Sequence, residues 1–300
     1  MSIVVKKTIL KGLLVSEAMR RQVISISKAT TIDSSINHLI KYKVNALLTT
    51  DESNQPVGVV SKTDIMGAYY AALPAESPLE YIMSSPPLFC RPGDSLESAL
   101  DTMRSRGIYR LYALEPNSKD VVGVLAYPDI VGLLYRYCRS CEQSIVARKQ
   151  RKEDHNAVLH FKVKDVMTLS AKAFMENEPL GRIMEGLSMH RFGAVLIRGK
   201  NNLPTGVVSK TDLILAYKHG LSADVEAKTI MSSPVRSCEE SDFLEDAIKE
   251  MIFSEVHRLF VHRHNPQDVV GVLSLSDAAR LRSGSCHACI SSRIKVDNHS

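Results

Sequence analysis

Apolar residues recur along the chain in two alternating rhythms. Leu96, Leu100 and Met103 fall on one face at helical spacing. Leu244, Ile248 and Met251 repeat the pattern, as do Leu180, Ile183, Met184 and Leu187, and Ile36, Leu39 and Ile40 nearer the start. Asp94-Ser95-Leu96-Glu97 reads as a capping box, with Asp94 as N-cap and Glu97 three residues on, and Asp242 with Glu245 offers the same start. After each helix the rhythm shortens to apolar runs such as Val44 to Leu48 or Leu259 to Val261. Polar turns follow, at Asn54-Gln55-Pro56 and Asn265-Pro266-Gln267, and then a second β-rich run, Val57 to Val60 or Val269 to Leu273. Two such runs across a turn predict a hairpin. An apolar helix opening at Asp64, Asp129, Asp212 or Asp277 closes each unit, and a short extended stretch such as Pro87-Leu88-Phe89-Cys90 precedes it. The predicted order is strand, helix, strand, strand, helix, an α/β (α+β) class.

The pattern is a duplication. Ser61-Lys62-Thr63-Asp64 returns as Ser209-Lys210-Thr211-Asp212, an offset of 212 − 64 = 148. Ile82-Met83-Ser84-Ser85-Pro86 and Val121-Val122-Gly123-Val124-Leu125 return at the same offset, as Ile230 to Pro234 and Val269 to Leu273. Each half is itself double: Asp64 to Asp129 and Asp212 to Asp277 are both 65 positions. A fixed period is the mark of a repeat architecture. Four copies are expected, at 12–75, 78–143, 157–223 and 226–286.

This order resembles the cystathionine β-synthase (CBS) domain. The words that carry the resemblance are Gly-apolar-apolar-Ser-x-Thr/Ser-Asp at the end of the second hairpin strand and Met-Ser-Ser-Pro before the first strand. It covers nearly the whole chain, from about Val15 to Arg282. It implies β-α-β-β-α units paired through their sheets into two pseudo-twofold Bateman modules, 12–143 and 157–286. It also implies an adenosine nucleotide (AMP, ADP or ATP) held in clefts between paired domains. The chemistry is plausible for these residue types. A carboxylate at a helix start can accept charge-assisted hydrogen bonds from a ribose diol. Hydroxyls just before it can bond ribose or the α-phosphate, and the helix N-terminus offers free N–H groups to an anion. The implied contacts are Ser61, Thr63 and Asp64; Ser209, Thr211 and Asp212; and Ser274, Ser276 and Asp277. The second copy departs from the pattern: Ala126-Tyr127-Pro128-Asp129 keeps only the carboxylate of Asp129. The competing reading makes these aspartates simple N-caps, a role Asp favours anyway.

Phosphate calls for cations. In the gamma subunit of the AMP-activated protein kinase, a member of this family, a His-Arg pair opens the first hairpin strand. The fourth copy here has His257-Arg258, and the second has Tyr109-Arg110, where Tyr replaces His. By resemblance Arg110, His257 and Arg258 serve phosphates, with Lys62 and Lys210 behind them. The alternatives are strand arginines paired with surface carboxylates, and solvated lysines.

Composition narrows the rest. Hydrophobic residues make up 44% and charged residues 24% of the 300, an ordinary globular balance. No unbroken apolar run reaches the roughly 18 residues of a membrane span, and the start MSIVVKKTIL is too short and polar for a signal peptide, so a cytoplasmic protein is expected. A net charge of +5 suits an anionic ligand but is too diffuse for a nucleic-acid surface, and there is no Trp for base stacking. Six cysteines all obey the repeat. Cys138 with Cys141 and Cys286 with Cys289 form C-x-x-C pairs, the right count for a four-thiolate zinc or iron–sulfur site. The bland reading is that duplication copied ordinary small residues, as for Cys90 and Cys238. The basic run Arg148 to Lys152 reads as a solvated linker between halves. No nucleophile–base set or P-loop is visible, so no enzyme is expected. The leading expectation is a nucleotide sensor that signals to a regulated protein partner, with a homo-oligomer left open. The alternative is a redox or metal sensor on the same scaffold.

Overall fold

The helix that follows the first strand in each copy forms because its apolar side chains share one stripe. These helices are Ile32–Lys41, Leu96–Ser105, Leu180–Met189 and Leu244–Phe253. Leu96, Leu100 and Met103 are buried, as are Leu244, Ile248 and Met251, whereas Ile40 sits at the stripe's edge and is exposed. Each such side chain contributes about 1.5–3 kcal/mol by leaving water. The computed structural model that shows this describes residues 12–116, 118, 120–140, 162–169 and 171–284, with the backbone alone for 134–140 and 280–284.

The start signals differ from the sequence reading. Ser95, not Asp94, caps its helix, its hydroxyl accepting the Ser98 N–H. Asp94 instead accepts the Arg91 N–H, and Asp242 accepts the Glu239 N–H. Both aspartates close the turn between strand and helix one step earlier, a common use of a short carboxylate. The fourth hairpin also turns sooner than expected: His264 adopts φ 56° and Asn265 already begins the strand Asn265–Ser274.

Each copy makes one small mixed sheet. In the first, Ser25–Ser27 runs parallel to Ala46–Thr50, which pairs antiparallel with Pro56–Ser61. The second has Phe89–Cys90, Arg110–Leu114 and Val121–Ala126 in the same order, and the third Ala173–Met175, Ala194–Arg198 and Pro204–Ser209. The fourth has Ser237–Glu239, Arg258–Arg263 and Asn265–Ser274, with Thr168–Leu169 added at its edge.

That edge strand belongs to a general exchange. The segment before each copy does not pack on the copy it precedes. Arg20 pairs with Val124 of the second copy and Ser84 with Val59 of the first. Thr168 pairs with Val272 of the fourth and Ser232 with Val207 of the third. A methionine anchors each segment against a strand glycine. A Cβ on Gly123 would lie 2.6 Å from Met19 Sδ, and one on Gly58 2.7 Å from Met83 Sδ. Gly206 faces Met231 and Gly271 faces Met167 in the same way. The glycine of the Gly-apolar-apolar-Ser word is therefore needed for close approach.

The chain divides into two compact units, each with its own core. One joins the first and third copies, with Ile36, Leu39, Ile65, Ile183, Leu187 and Leu213 buried. The other joins the second and fourth, with Leu100, Met103, Leu125, Ile130, Ile248 and Leu259 buried. The compact units thus each take one copy from each half of the duplication. Inside the first unit the closing helices, Lys62–Tyr70 and Lys210–Lys218, meet on a local twofold. Tyr69 and Tyr217 stack with centroids 5.0 Å apart. Tyr69 donates to the Leu221 carbonyl at 2.8 Å, and Tyr217 to the Leu73 carbonyl at 2.5 Å. Burial pushes the Tyr69 phenol up to about 12, so both hydroxyls stay donors.

Candidate functional site: four carboxylates at helix starts

The closing helices begin two residues earlier than expected, at Lys62, Tyr127, Lys210 and Leu275. The aspartates are therefore not N-caps. Each is the third helical residue and reaches back to the cap, half of a capping box. Asp64 Oδ2 accepts the Ser61 N–H and the Ser61 hydroxyl, both at 2.7 Å. Asp212 Oδ2 accepts the same pair from Ser209 at 2.7 and 2.6 Å. Asp277 Oδ2 accepts them from Ser274 at 3.0 and 2.5 Å, and Ser276 Oγ lies 2.9 Å from Ser274 Oγ. The sequence spacing S-x-x-D was the available signal for this box.

The arrangement limits what the carboxylates can do. A carboxylate oxygen has two lone pairs, and Oδ2 has used both. Further hydrogen bonds must fall on Oδ1, so a ribose diol would meet one oxygen of each aspartate rather than straddle two. The capping-box bonds of Asp64 and Asp277 both fall on Oδ2.

The residue after the anchoring methionine reaches this second oxygen in the second and third copies. Ser232, after Met231, donates to Asp212 Oδ1 at 3.3 Å. Ser84 and Thr168 hold the equivalent places in the first and fourth copies. In the second copy the place belongs to Arg20, whose Nε lies 2.8 Å from Asp129 Oδ1. Asp129 Oδ2 accepts the Ala126 N–H at 2.9 Å. Burial raises the Asp129 pKa, against the pull of Arg20, the Ala126 N–H and Arg110. Sequence reading missed these four positions, although apolar-Met-polar words at Met19, Met83, Met167 and Met231 marked them.

The two lysines of the Ser-Lys-Thr-Asp words join the first and third copies. Lys62 Nζ donates to Thr211 Oγ1 at 2.9 Å and Lys210 Nζ to Thr63 Oγ1 at 2.8 Å. The two Ser-Lys-Thr-Asp words are brought face to face, and four of their candidate contacts bridge the first and third copies. Both threonine hydroxyls keep a proton to donate.

In the other unit Arg258 opens the strand of the fourth copy, partly buried. Burial lowers its pKa to about 10, opposed by Asp277 and by Tyr109 of the second copy. It is therefore fully charged at neutral pH, and desolvated enough that an anion beside it would be welcome. Arg110 lies near both Tyr112 and Asp129. His257 is exposed. Arg258 and Asp277 are brought together; Arg110 sits instead with the Arg20–Asp129 pair.

Cys90 and Cys238 are buried, and burial pushes their thiols up to about 11 and about 12. They are inert structural side chains. The Cys138 side chain and Cys141, Cys286 and Cys289 lie outside the described residues, as does the basic run Arg148 to Lys152. Among the described residues no helix is long and apolar enough to cross a membrane.

Comparison with known proteins places this geometry. The family model for the CBS domain matches four times, at residues 15–71, 79–136, 163–219 and 227–284. A protein of Methanopyrus kandleri is 30% identical over 90 residues, a match spanning 29% of this chain and 45% of that relative. Among solved structures, a Methanocaldococcus jannaschii protein proposed as an archaeal homologue of γ-AMPK has a TM-score of 0.71 at 15% identity, over 90% of this chain and 99% of that one. A Pyrococcus horikoshii protein has a TM-score of 0.58 at 16% identity, over 90% and 100%.

Proposed function

Because the chain belongs to the CBS domain family and carries four such domains, the number of two Bateman modules, we propose that it is a non-catalytic regulatory protein. It binds an adenosine nucleotide (AMP, ADP or ATP) and passes the resulting conformational change to a protein partner in the cytoplasm. One observation carries the reading: the first, third and fourth copies each present a carboxylate whose Oδ2 is locked in a capping box, which leaves Oδ1 for further donors, as Ser232 shows at Asp212. Such an oxygen suits the donor pair of a ribose diol. Arg258 next to Asp277 adds the charge a phosphate needs in the same copy.

A ligand bound only by the folded state raises its melting temperature by mass action. AMP, ADP and ATP at millimolar concentration are therefore expected to raise Tm. Asp212→Ala should weaken binding more than Asp129→Ala, because Asp129 is held by Arg20. No shift with any adenine nucleotide, or loss of all binding in Asp129→Ala alone, overturns the reading. Mass spectrometry of ligand released from the purified protein names the nucleotide.

A further inference from the structure

The four methionine-anchored segments put four side chains at one structural position: Arg20, Ser84, Thr168 and Ser232. Three are small hydroxyl residues. The fourth is a guanidinium, and it reaches the second copy's carboxylate with a 2.8 Å ion pair. Asp129 therefore has a partner from inside the chain on each oxygen: the Ala126 N–H on Oδ2 and Arg20 on Oδ1. The Asp129 side chain keeps only 9% of its surface exposed, whereas the Arg20 side chain keeps 47%. The carboxylate is thus largely covered, while the cation paired with it remains half exposed.

Resting on the reading of these carboxylates as diol acceptors, we propose that Arg20 is a built-in occupant that keeps the second copy's site shut. The chain then has one latent carboxylate, beside three whose methionine-anchored segment brings a small hydroxyl residue instead of a guanidinium. The chemistry is substitution: Arg20 Nε–H engages Oδ1, the oxygen left outside the capping box for a ligand hydroxyl, and an intramolecular donor competes with a dissolved one at high effective concentration. The same substitution explains why the second copy keeps Asp129 although its hydroxyls have become Ala126 and Pro128. Its carboxylate partners Arg20 rather than a ligand. Serine in place of Arg20 reproduces the residue at positions 84 and 232 and removes the occupant.

The test is equilibrium dialysis at saturating, millimolar AMP and adenosine. It compares the full-length chain, Arg20→Ser, and Arg20→Ser with Asp129→Asn, each checked for folding by circular dichroism. Arg20→Gln replaces the serine variant if that one does not fold. Arg20→Ser should bind one more equivalent per chain than the unaltered protein, and the added Asp129→Asn should remove it. An unchanged equivalent count alongside binding by the unaltered protein overturns the role of Arg20 and leaves the proposed function standing. Binding seen only in Arg20→Ser supports Arg20 as occupant and removes the other copies as sites. No binding by either chain overturns both.

Discussion

Lys62 donates to the hydroxyl of Thr211 at 2.9 Å, and the bond is mirrored by Lys210 and Thr63 at 2.8 Å. Residues read from the sequence as ligand contacts thus also join two copies 148 positions apart in the chain. Hydrogen bonds to charged groups are worth about 1.5–3 kcal/mol when shielded and less in solvent. Thr63 is exposed and Thr211 partly so. A double-mutant cycle of Lys62→Met and Thr211→Val should give a coupling of about 0.5–1 kcal/mol in urea unfolding. Zero coupling would show that the clasp is not held in solution. If Lys62→Met weakens AMP binding while Thr211→Val does not, Lys62 serves phosphate as well.

Glycines in this chain should respond in opposite directions. A Cβ on Gly206 would sit 2.8 Å from Met231 Sδ and 2.9 Å from the Ser232 carbonyl oxygen. The backbone neighbour cannot yield cheaply, so Gly206→Ala should destabilise by about 1–3 kcal/mol. It should also shift Ser232 away from Asp212. Gly67, on the exposed side of the helix Lys62–Tyr70, has nothing within 4 Å of its Cβ position. Gly67→Ala should stabilise by roughly 0.5–1 kcal/mol through helix propensity. Paired denaturation curves check both signs, and equal effects would refute the close-approach account.

Those glycines show what a sequence conceals. The duplication, the helical stripes and the hairpins were legible because they are local patterns at a constant offset. Buried Leu100, Met103 and Ile248 fall where periodicity put them. The helix starts were legible to within a residue or two: Asp94 closes a turn where Ser95 caps, and Asp64 and Asp212, read as possible N-caps, are the third helical residues of capping boxes. The exchange of Met19, Met83, Met167 and Met231 between copies was not legible. Each packs on a glycine tens of residues away, and no local propensity distinguishes packing on the next copy from packing on another. Arg20 was invisible for the same reason. The apolar-Met-polar word at positions 18–20 marks the segment but does not name its partner at 129.

The Arg20–Asp129 pair predicts a pH dependence with a definite sign. The folded-state pKa of Asp129 is raised, burial being the largest cause, and Arg20 and Arg110 oppose it. A carboxyl raised above its unfolded value binds more protons when folded, so its share of stability falls as pH rises through that window. Removing Arg20 removes an opposing cation and raises Asp129 further. Arg20→Ser should therefore be nearly neutral at acid pH, where Asp129 is protonated. It should become more destabilising as pH climbs past the ordinary carboxylate range. Urea midpoints at pH 4 and pH 7 measure this, and a penalty independent of pH would mean that the pair is not formed.

Arg258 offers the sharpest separation of ligand chemistry from scaffold. It lies close to Asp277, and burial pulls its pKa to about 10. A desolvated cation loses hydration that a phosphate can replace, so the nucleotide's charge, not its base, should feel it. Arg258→Ala should weaken AMP or ATP by roughly tenfold to a hundredfold, the worth of about 1.5–3 kcal/mol. Adenosine, which has no phosphate, should lose at most a few-fold. The mutation also leaves Asp277 without its nearby cation, so the carboxylate's capping box with Ser274 must be shown intact, for instance by an unchanged circular dichroism spectrum. Isothermal titration of AMP and adenosine against both proteins gives the comparison. Equal losses for the two ligands would assign Arg258 to the strand it opens rather than to phosphate, and would leave Asp64, Asp212 and Asp277 as the supported part of the site.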